Sequence, residues 1–139
     1  MKKIFLLQLV MLFSFANAQD ITGKWKTIDD KTGQAKSIIE IYVKNDKYFG
    51  KIIEIFDKSK RDKLCEKCED QDKNKPVLGL VIIKNIKKEG SSFENGTIMD
   101  PENGKTYSCS LTPSKNKLKV RGFIGFSMFG RNQTWEKVE

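Results

Sequence analysis

Apolar and polar residues alternate along most of the chain after residue 22. In the first such segment Trp25 and Thr27 share one face and Lys24 and Lys26 share the other, which is the period of a β-strand. Further segments with strand character follow, separated by short turn sequences rich in Gly, Asn, Asp and Pro. The eight predicted strands cover residues 23–29, 35–43, 48–56, 77–86, 93–100, 105–111, 118–124 and 131–138.

This spacing of strands and turns predicts an all-β fold, because no stretch shows a convincing helical period. Short connections favour a single eight-stranded antiparallel up-and-down barrel, with a closely related β-sandwich as the alternative. Closing the sheet also removes its exposed edges. The interior of such a barrel is either filled by side chains or holds one small ligand.

The start of the chain has the organisation of a secretory signal peptide. Two lysines precede the apolar residues 4–15, and residues 16–18 form a small-x-small cleavage site. The apolar run is shorter than the roughly 20 residues that span a bilayer, so cleavage near Ala18 is favoured over an uncleaved anchor. We therefore expect residues 19–139 to form one exported domain, periplasmic or secreted, without a later transmembrane segment.

Removing the first 18 of 139 residues leaves 121, enough for one domain with its own core. The loss of Lys2 and Lys3 lowers the formal net charge from +8 to +6. Lysines are scattered among Asp and Glu rather than clustered with aromatic residues. This pattern indicates a solvated surface and argues against a nucleic-acid partner.

Residue types limit the chemistry that the chain can perform. It contains no histidine, which excludes Ser–His and Cys–His nucleophilic pairs and histidine metal ligands. Asp70, Asp72 and Asn74 have the opening spacing of a calcium loop, but Lys75 and Val81 replace its glycine and closing glutamate. We predict no catalytic residue, metal or cofactor, although an enzyme using only Asp, Glu, Lys, Tyr and Arg stays open.

Three cysteines and one long loop stand apart from the strand pattern. Residues 57–75 are charged and aperiodic, and loops of this length are usually functional or disordered. In an oxidising compartment three cysteines usually give one disulfide and one spare thiol. We favour a Cys65–Cys68 bridge over pairing with Cys109, because the short spacing has no tertiary requirement and Cys109 lies on an apolar strand face.

Residues 125–130 contain three large apolar side chains where a polar loop is expected: Phe126, Met128 and Phe129. One interpretation is a lid packed over an end of the barrel. The other is a hydrophobic flap at a ligand mouth, or a contact with a membrane or a partner.

Several segments carry a resemblance to a known family. They are residues 100–107 (DPENGKTY), 118–125 (LKVRGFIG) and 130–135 (GRNQTW), together with 23–30 (GKWKTIDD), the two loop cysteines and 76–79 (PVLG). In their order and in their residues, these segments resemble the exported bacterial family called domain of unknown function 2147. The resemblance covers nearly the whole chain after the leader. It implies a small exported β-barrel, with no agreed activity or substrate.

The opening Gly23-x-Trp25 also resembles the start of lipocalin or calycin-type barrels. In that group the tryptophan plugs one end of the barrel, and an arginine from a late strand lies across its ring. The resemblance implies structural roles for Trp25 and for Arg121 or Arg131 as its partner. Trp135, inside the last strand, is a further structural candidate.

Two functions fit these observations. The first is a lipocalin-like binding module for a small apolar or amphipathic ligand, gated by residues 125–130. Its ligand-binding candidates are Trp25, Ile39, Ile41, Tyr107, Leu111, Phe126, Met128 and Phe129. The second is a filled barrel that acts as an envelope protein–protein interaction domain and uses residues 57–75 or the apolar flap as its contact.

Overall fold

The chain closes into a barrel of eight antiparallel strands. A computed structural model describes residues 20–124 and 130–139. Neighbours in sequence pair with each other, and the first strand also pairs with the last. The predicted all-β up-and-down barrel is therefore confirmed. The strands are β1 Gly23–Ile28, β2 Ala35–Lys44, β3 Lys47–Ile55, β4 Val81–Glu89, β5 Ser92–Asp100, β6 Lys105–Ser114, β7 Lys117–Phe123 and β8 Gly130–Lys137.

Strand β4 begins at Val81, four residues after the predicted start at residue 77. The backbone N–H of Val77 donates to the Lys63 carbonyl at 2.9 Å, and that of Gly79 donates to the Ile52 carbonyl at 2.8 Å. Gly79 also has a φ of 97°. These bonds form a turn that packs against β3, so the prediction of a strand over 77–80 was wrong. The apolar run is divided between this turn and β4.

Residues 57–80, which we call the β3–β4 loop, fold back against the barrel. Leu64 forms an isolated bridge with Pro76, so the loop closes on itself. Cys65 and Cys68 form a disulfide, as predicted, and both are buried. The sulfur of Cys68 lies 3.6 Å from the sulfur of Met99 on β5. The disulfide thus packs the loop onto the wall of the barrel.

Core side chains fill one end of the barrel, which we call the closed end. Ile21 lies just before β1 and is fully buried. Its carbonyl accepts a hydrogen bond of 2.8 Å from the indole Nε1 of Trp25. Tyr48 packs edge-on against Phe93, with ring centroids 5.0 Å apart. The buried residues of this region include Trp25, Ile41, Phe93, Leu111 and Leu118.

Cys109 is a free thiol buried inside the barrel wall. It pairs with Gly96 across β5 and β6, and burial raises the pKa of its thiol from 9.0 to about 12. Because the thiolate is the reactive form, we expect Cys109 to resist iodoacetamide at pH 8 in the folded protein. Mass spectrometry should show one added label only in denaturant. Equal labelling of folded and denatured protein would contradict this burial.

Candidate ligand cavity at the barrel mouth

The end of the barrel opposite the closed end, which we call the mouth, contains a cavity of about 790 Å³. The turns β1–β2 and β5–β6 and the β3–β4 loop surround it. Its lower walls are apolar, because inward-facing positions of most strands carry branched aliphatic or aromatic side chains. The apolar wall residues include Ile39, Ile52, Ile55, Ile98, Val120 and Trp135.

Two inward-facing glycines differ in the space around them. A Cβ atom added at Gly50 would lie 3.0 Å from the Ile83 side chain, so this glycine makes room for an isoleucine. At Gly122 the nearest atoms, on Ile98 and Tyr107, would lie 3.5 and 3.6 Å away, at ordinary contact distance. Gly122 borders the cavity.

One wall of the cavity carries a connected set of polar groups. The indole Nε1 of Trp135 donates to Gln133 at 3.2 Å, and Gln133 donates to Asp30 at 3.4 Å. Arg131 forms an ion pair with the same carboxylate, to which its Nε donates at 2.9 Å. This bonding holds the pKa of Asp30 below its usual value and raises the pKa of Arg131. Polarity therefore increases from the floor to the mouth.

Two further polar contacts lie on the cavity wall. The hydroxyls of Thr27 and Ser37 are 2.7 Å apart, and Thr27 is buried. Asn103 donates to the hydroxyl of Tyr107 at 3.2 Å. The cavity thus combines an apolar floor with hydrogen-bonding groups above it, the arrangement suited to an amphipathic molecule.

Comparisons with known proteins agree with this architecture. A family model described as an uncharacterized protein conserved in bacteria (DUF2147) matches residues 23–137. The chain belongs to this family. Among solved structures it is similar to a Helicobacter pylori protein described as belonging to the lipocalin family. The two are 22% identical, with a TM-score of 0.76 over 86% of this chain and 84% of the other.

At 22% identity the H. pylori structure shows a shared fold, and the two resemblances read from the sequence are both confirmed. No curated protein matches the chain. Within the stretches that the structure describes, this member of DUF2147 has no helix long and apolar enough to cross a membrane. In the same stretches no three Cys, Asp or Glu side chains are grouped so that they could hold a metal ion.

The residues proposed from sequence for ligand binding lie in different parts of this DUF2147 barrel. Ile39 and Tyr107 line the cavity. Trp25, Ile41 and Leu111 are buried in the core and are not among the cavity-lining residues. The flap side chains lie outside the described residues: Phe126, Met128 and Phe129. Trp135, proposed only as structural, forms part of the cavity wall.

Sequence reasoning missed several wall residues of the cavity, including Ile52, Ile55, Ile98 and Val120. Period-two alternation places Ile52 and Val120 on buried faces, so this signal could have identified them. A register shift in β2–β3 between Ile38 and Ile39 puts Ile55 on the same interior side as Ile52, against simple alternation. Alternation also gives no indication of which end of a barrel is open.

We expected Arg121 or Arg131 to lie across the ring of Trp25, but the strand register places both arginines away from it. Arg131 is paired with Asp30 at the mouth. Arg121 alternates with cavity-lining residues and therefore faces outward, 5.7 Å from the ring of Phe123. On β8, Trp25 pairs with Lys137, whereas Arg121 pairs with Asn132. These two positions on β8 are five residues apart, which is about 16 Å along the strand. Both arginines lie near the mouth, whereas Trp25 lies toward the closed end.

Proposed function

We propose that this protein is an exported binding protein that holds a small apolar or amphipathic ligand in its barrel. The observation that carries the proposal is the cavity of about 790 Å³, with an apolar floor and a polar mouth. Ligand pockets usually measure about 300–1,000 Å³ and combine apolar walls with a few placed polar groups. The lipocalin-type fold of the H. pylori neighbour is consistent with such a role.

Export is supported by the leader sequence in residues 1–18, with its charged start, apolar run and cleavage site. Cleavage near Ala18 would release residues 19–139 as a single periplasmic or secreted domain. The disulfide between Cys65 and Cys68 suits an oxidising compartment. The mass of the protein purified from its own cell envelope tests the cleavage position.

Narrowing the cavity should weaken ligand binding without unfolding the barrel. Gly122 borders the cavity and has ordinary space for a Cβ atom, so we expect Gly122→Leu to fold and to occupy part of the ligand volume. The neutral fluorescent reporter N-phenyl-1-naphthylamine should bind the wild type. Its affinity should fall by about tenfold in the variant, because the added side chain takes up apolar contact area that the reporter would otherwise bury.

Ser108→Leu is the matched control, since Ser108 is exposed on β6 and pairs with Phe123, the neighbour of Gly122. It adds the same side chain outside the cavity and should leave reporter binding unchanged. Circular dichroism melting would verify that both variants fold. Unchanged binding in Gly122→Leu would refute the cavity as the binding site. A ligand of a few hundred daltons, retained in native mass spectra of envelope-derived protein, would identify the natural occupant.

A second candidate function is an envelope protein–protein interaction domain. The β3–β4 loop and the residue that precedes it expose three large apolar side chains: Phe56 (41%), Leu64 (42%) and Leu78 (38%). Exposed apolar groups on one segment favour contact with another protein. Absence of reporter binding to the wild type, with a protein captured by cross-linking through this loop, would favour this function over ligand carriage.

A further inference from the structure

Four cationic side chains line the mouth of the cavity, and two of them form ion pairs with other described residues. Lys36 forms an ion pair with Glu102, and Arg131 forms one with Asp30. The remaining two form no ion pair with any residue in the described part of the chain. The four cations are Lys36, Lys60, Lys63 and Arg131.

Each carboxylate that lines the mouth uses one of its oxygens for a contact within the protein, either with the local backbone or, for Glu102, with Lys36. Asp29 accepts hydrogen bonds from the N–H groups of Lys31 and Thr32 at 2.8 and 2.9 Å. Asp57 accepts from the N–H of Ser59 at 3.0 Å. These hydrogen bonds stabilise the turns that form the mouth. Asp100 stabilises its own turn in the same way, because its carboxylate accepts a hydrogen bond of 2.9 Å from the backbone N–H of Glu102.

Formal charge alone does not decide which ligand the mouth prefers. Four carboxylates and four cations line it, so the formal charges balance. The two signs differ in their spare hydrogen-bonding capacity. Each carboxylate already accepts a contact from the protein through one oxygen, whereas the ammonium groups of Lys60 and Lys63 form no ion pair among the described residues and carry three donors each. Lys60 and Lys63 can direct those donors to an anion.

The two unpaired lysines lie on the same side of the mouth. Lys60 ends the 3-10 turn Lys58–Lys60, and Lys63 follows one turn later, with its backbone N–H donating to the Lys60 carbonyl at 3.2 Å. Both are close enough to Glu102 to help Lys36 hold the pKa of that carboxyl below its usual value. Three lysines thus surround one carboxylate, and Lys36 alone pairs with it.

We propose that Lys60 and Lys63 bind the anionic head group of an amphiphile whose apolar tail occupies the floor of the cavity. The inference rests on the proposed binding function and specifies the chemical class of its ligand. A carboxylate or a phosphate head would accept charge-assisted hydrogen bonds from the two ammonium groups. Ile39, Ile52 and Val120 would contact the tail below.

Four probes with the same tail and different heads test this inference: dodecanoate, dodecyl phosphate, dodecanol and dodecyltrimethylammonium. Each is titrated against protein loaded with N-phenyl-1-naphthylamine, below its micellar concentration and at low salt. We expect both anionic probes to bind about tenfold more tightly than dodecanol and the cationic probe, as one hydrogen bond to a charged group would give. The relative affinity of the two anions distinguishes a carboxylate from a phosphate ligand.

The double variant Lys60→Gln/Lys63→Gln should bind all four probes equally and retain the reporter. The matched control is Lys58→Gln/Lys73→Gln, which removes two charges from the same loop at positions that do not line the cavity. It should keep the preference for anions. An equal loss in the control, or no preference in the wild type while dodecanol binds, would overturn the head-group site and leave the cavity function standing. Failure of both the reporter and dodecanol to bind would overturn the binding function itself.

Discussion

Replacing Trp25 with alanine should lower the free energy of unfolding by about 3–5 kcal/mol, the usual cost of deleting a buried large aromatic side chain. Trp25 is 1% exposed and belongs to the core. Its indole N–H also satisfies the carbonyl of Ile21, which is fully buried just before β1. The substitution therefore leaves a void and a buried carbonyl without its donor. Urea unfolding, followed by far-UV circular dichroism rather than by tryptophan fluorescence, measures the change in the free energy of unfolding.

A second variant separates the two effects at this site. Trp25→Phe keeps most of the ring volume but removes the hydrogen bond to Ile21, so we expect a smaller loss of about 1–3 kcal/mol. Lowering of the melting temperature by roughly 10–20 °C should accompany Trp25→Ala. A loss below 1 kcal/mol in Trp25→Ala would mean that the closed end does not depend on this residue.

Replacing Gly104 with alanine should destabilise the protein by about 2–5 kcal/mol, the sum of a left-handed backbone penalty and overpacking. Gly104 ends the β5–β6 turn with a φ of 73°. A Cβ atom there would overlap the carbonyl group of Lys67, between the two disulfide cysteines. The β3–β4 loop would have to move away from the turn. Urea unfolding and the rate of disulfide reduction by dithiothreitol both report this movement.

Gly33 provides the matched control for this substitution. Its φ of 71° is nearly the same, but a Cβ atom there would meet nothing within 4 Å. Gly33→Ala should therefore cost only the backbone penalty, about 1–2 kcal/mol, and leave disulfide reduction unchanged. The difference between the two alanine variants isolates the contact between loop and turn. Equal losses of stability in the two variants would show that the β3–β4 loop moves away from the turn at no measurable cost.

The contact at Gly104 also matters for the cavity. The turn that it ends contributes Asp100, Glu102 and Asn103 to the mouth. The β3–β4 loop packs against this turn, and the sulfur of Cys65 in that loop lies 3.7 Å from the Pro101 carbonyl oxygen. The loop that carries Lys60 and Lys63 and the turn that carries Glu102 therefore hold each other in position at the proposed head-group site.

Local sequence patterns were enough to predict most of the strands. The alternation around Trp25 and Thr27, and the turn sequence 101–104, follow from interactions between residues close in the chain. The apolar run from residue 77 was misjudged because hydrophobicity alone does not separate a buried turn from a strand. Hydrogen bonds from Val77 and Gly79 to Lys63 and Ile52 decide that difference, and they join distant segments.

The short cysteine spacing likewise predicted the disulfide, since Cys65 and Cys68 can pair without help from the rest of the fold. The partner of Trp25 could not be predicted in this way. Register between β1 and β8 places Lys137, not a late arginine, beside it, and register depends on how the whole barrel closes. The backbone carbonyl that its indole binds comes from Ile21, four residues earlier.

The sequence by itself determined the strand order, the barrel class and the loop disulfide, because alternation, turn chemistry and close cysteine spacing act over a few residues. Only the tertiary structure decided which end is filled and which is open. Gly50 and Gly122 look alike in the sequence, yet a Cβ atom at Gly50 would lie 3.0 Å from Ile83, whereas Gly122 has ordinary contact space and borders the cavity. The difference arises from the side chains that closure of the barrel brings opposite them, and these come from other strands.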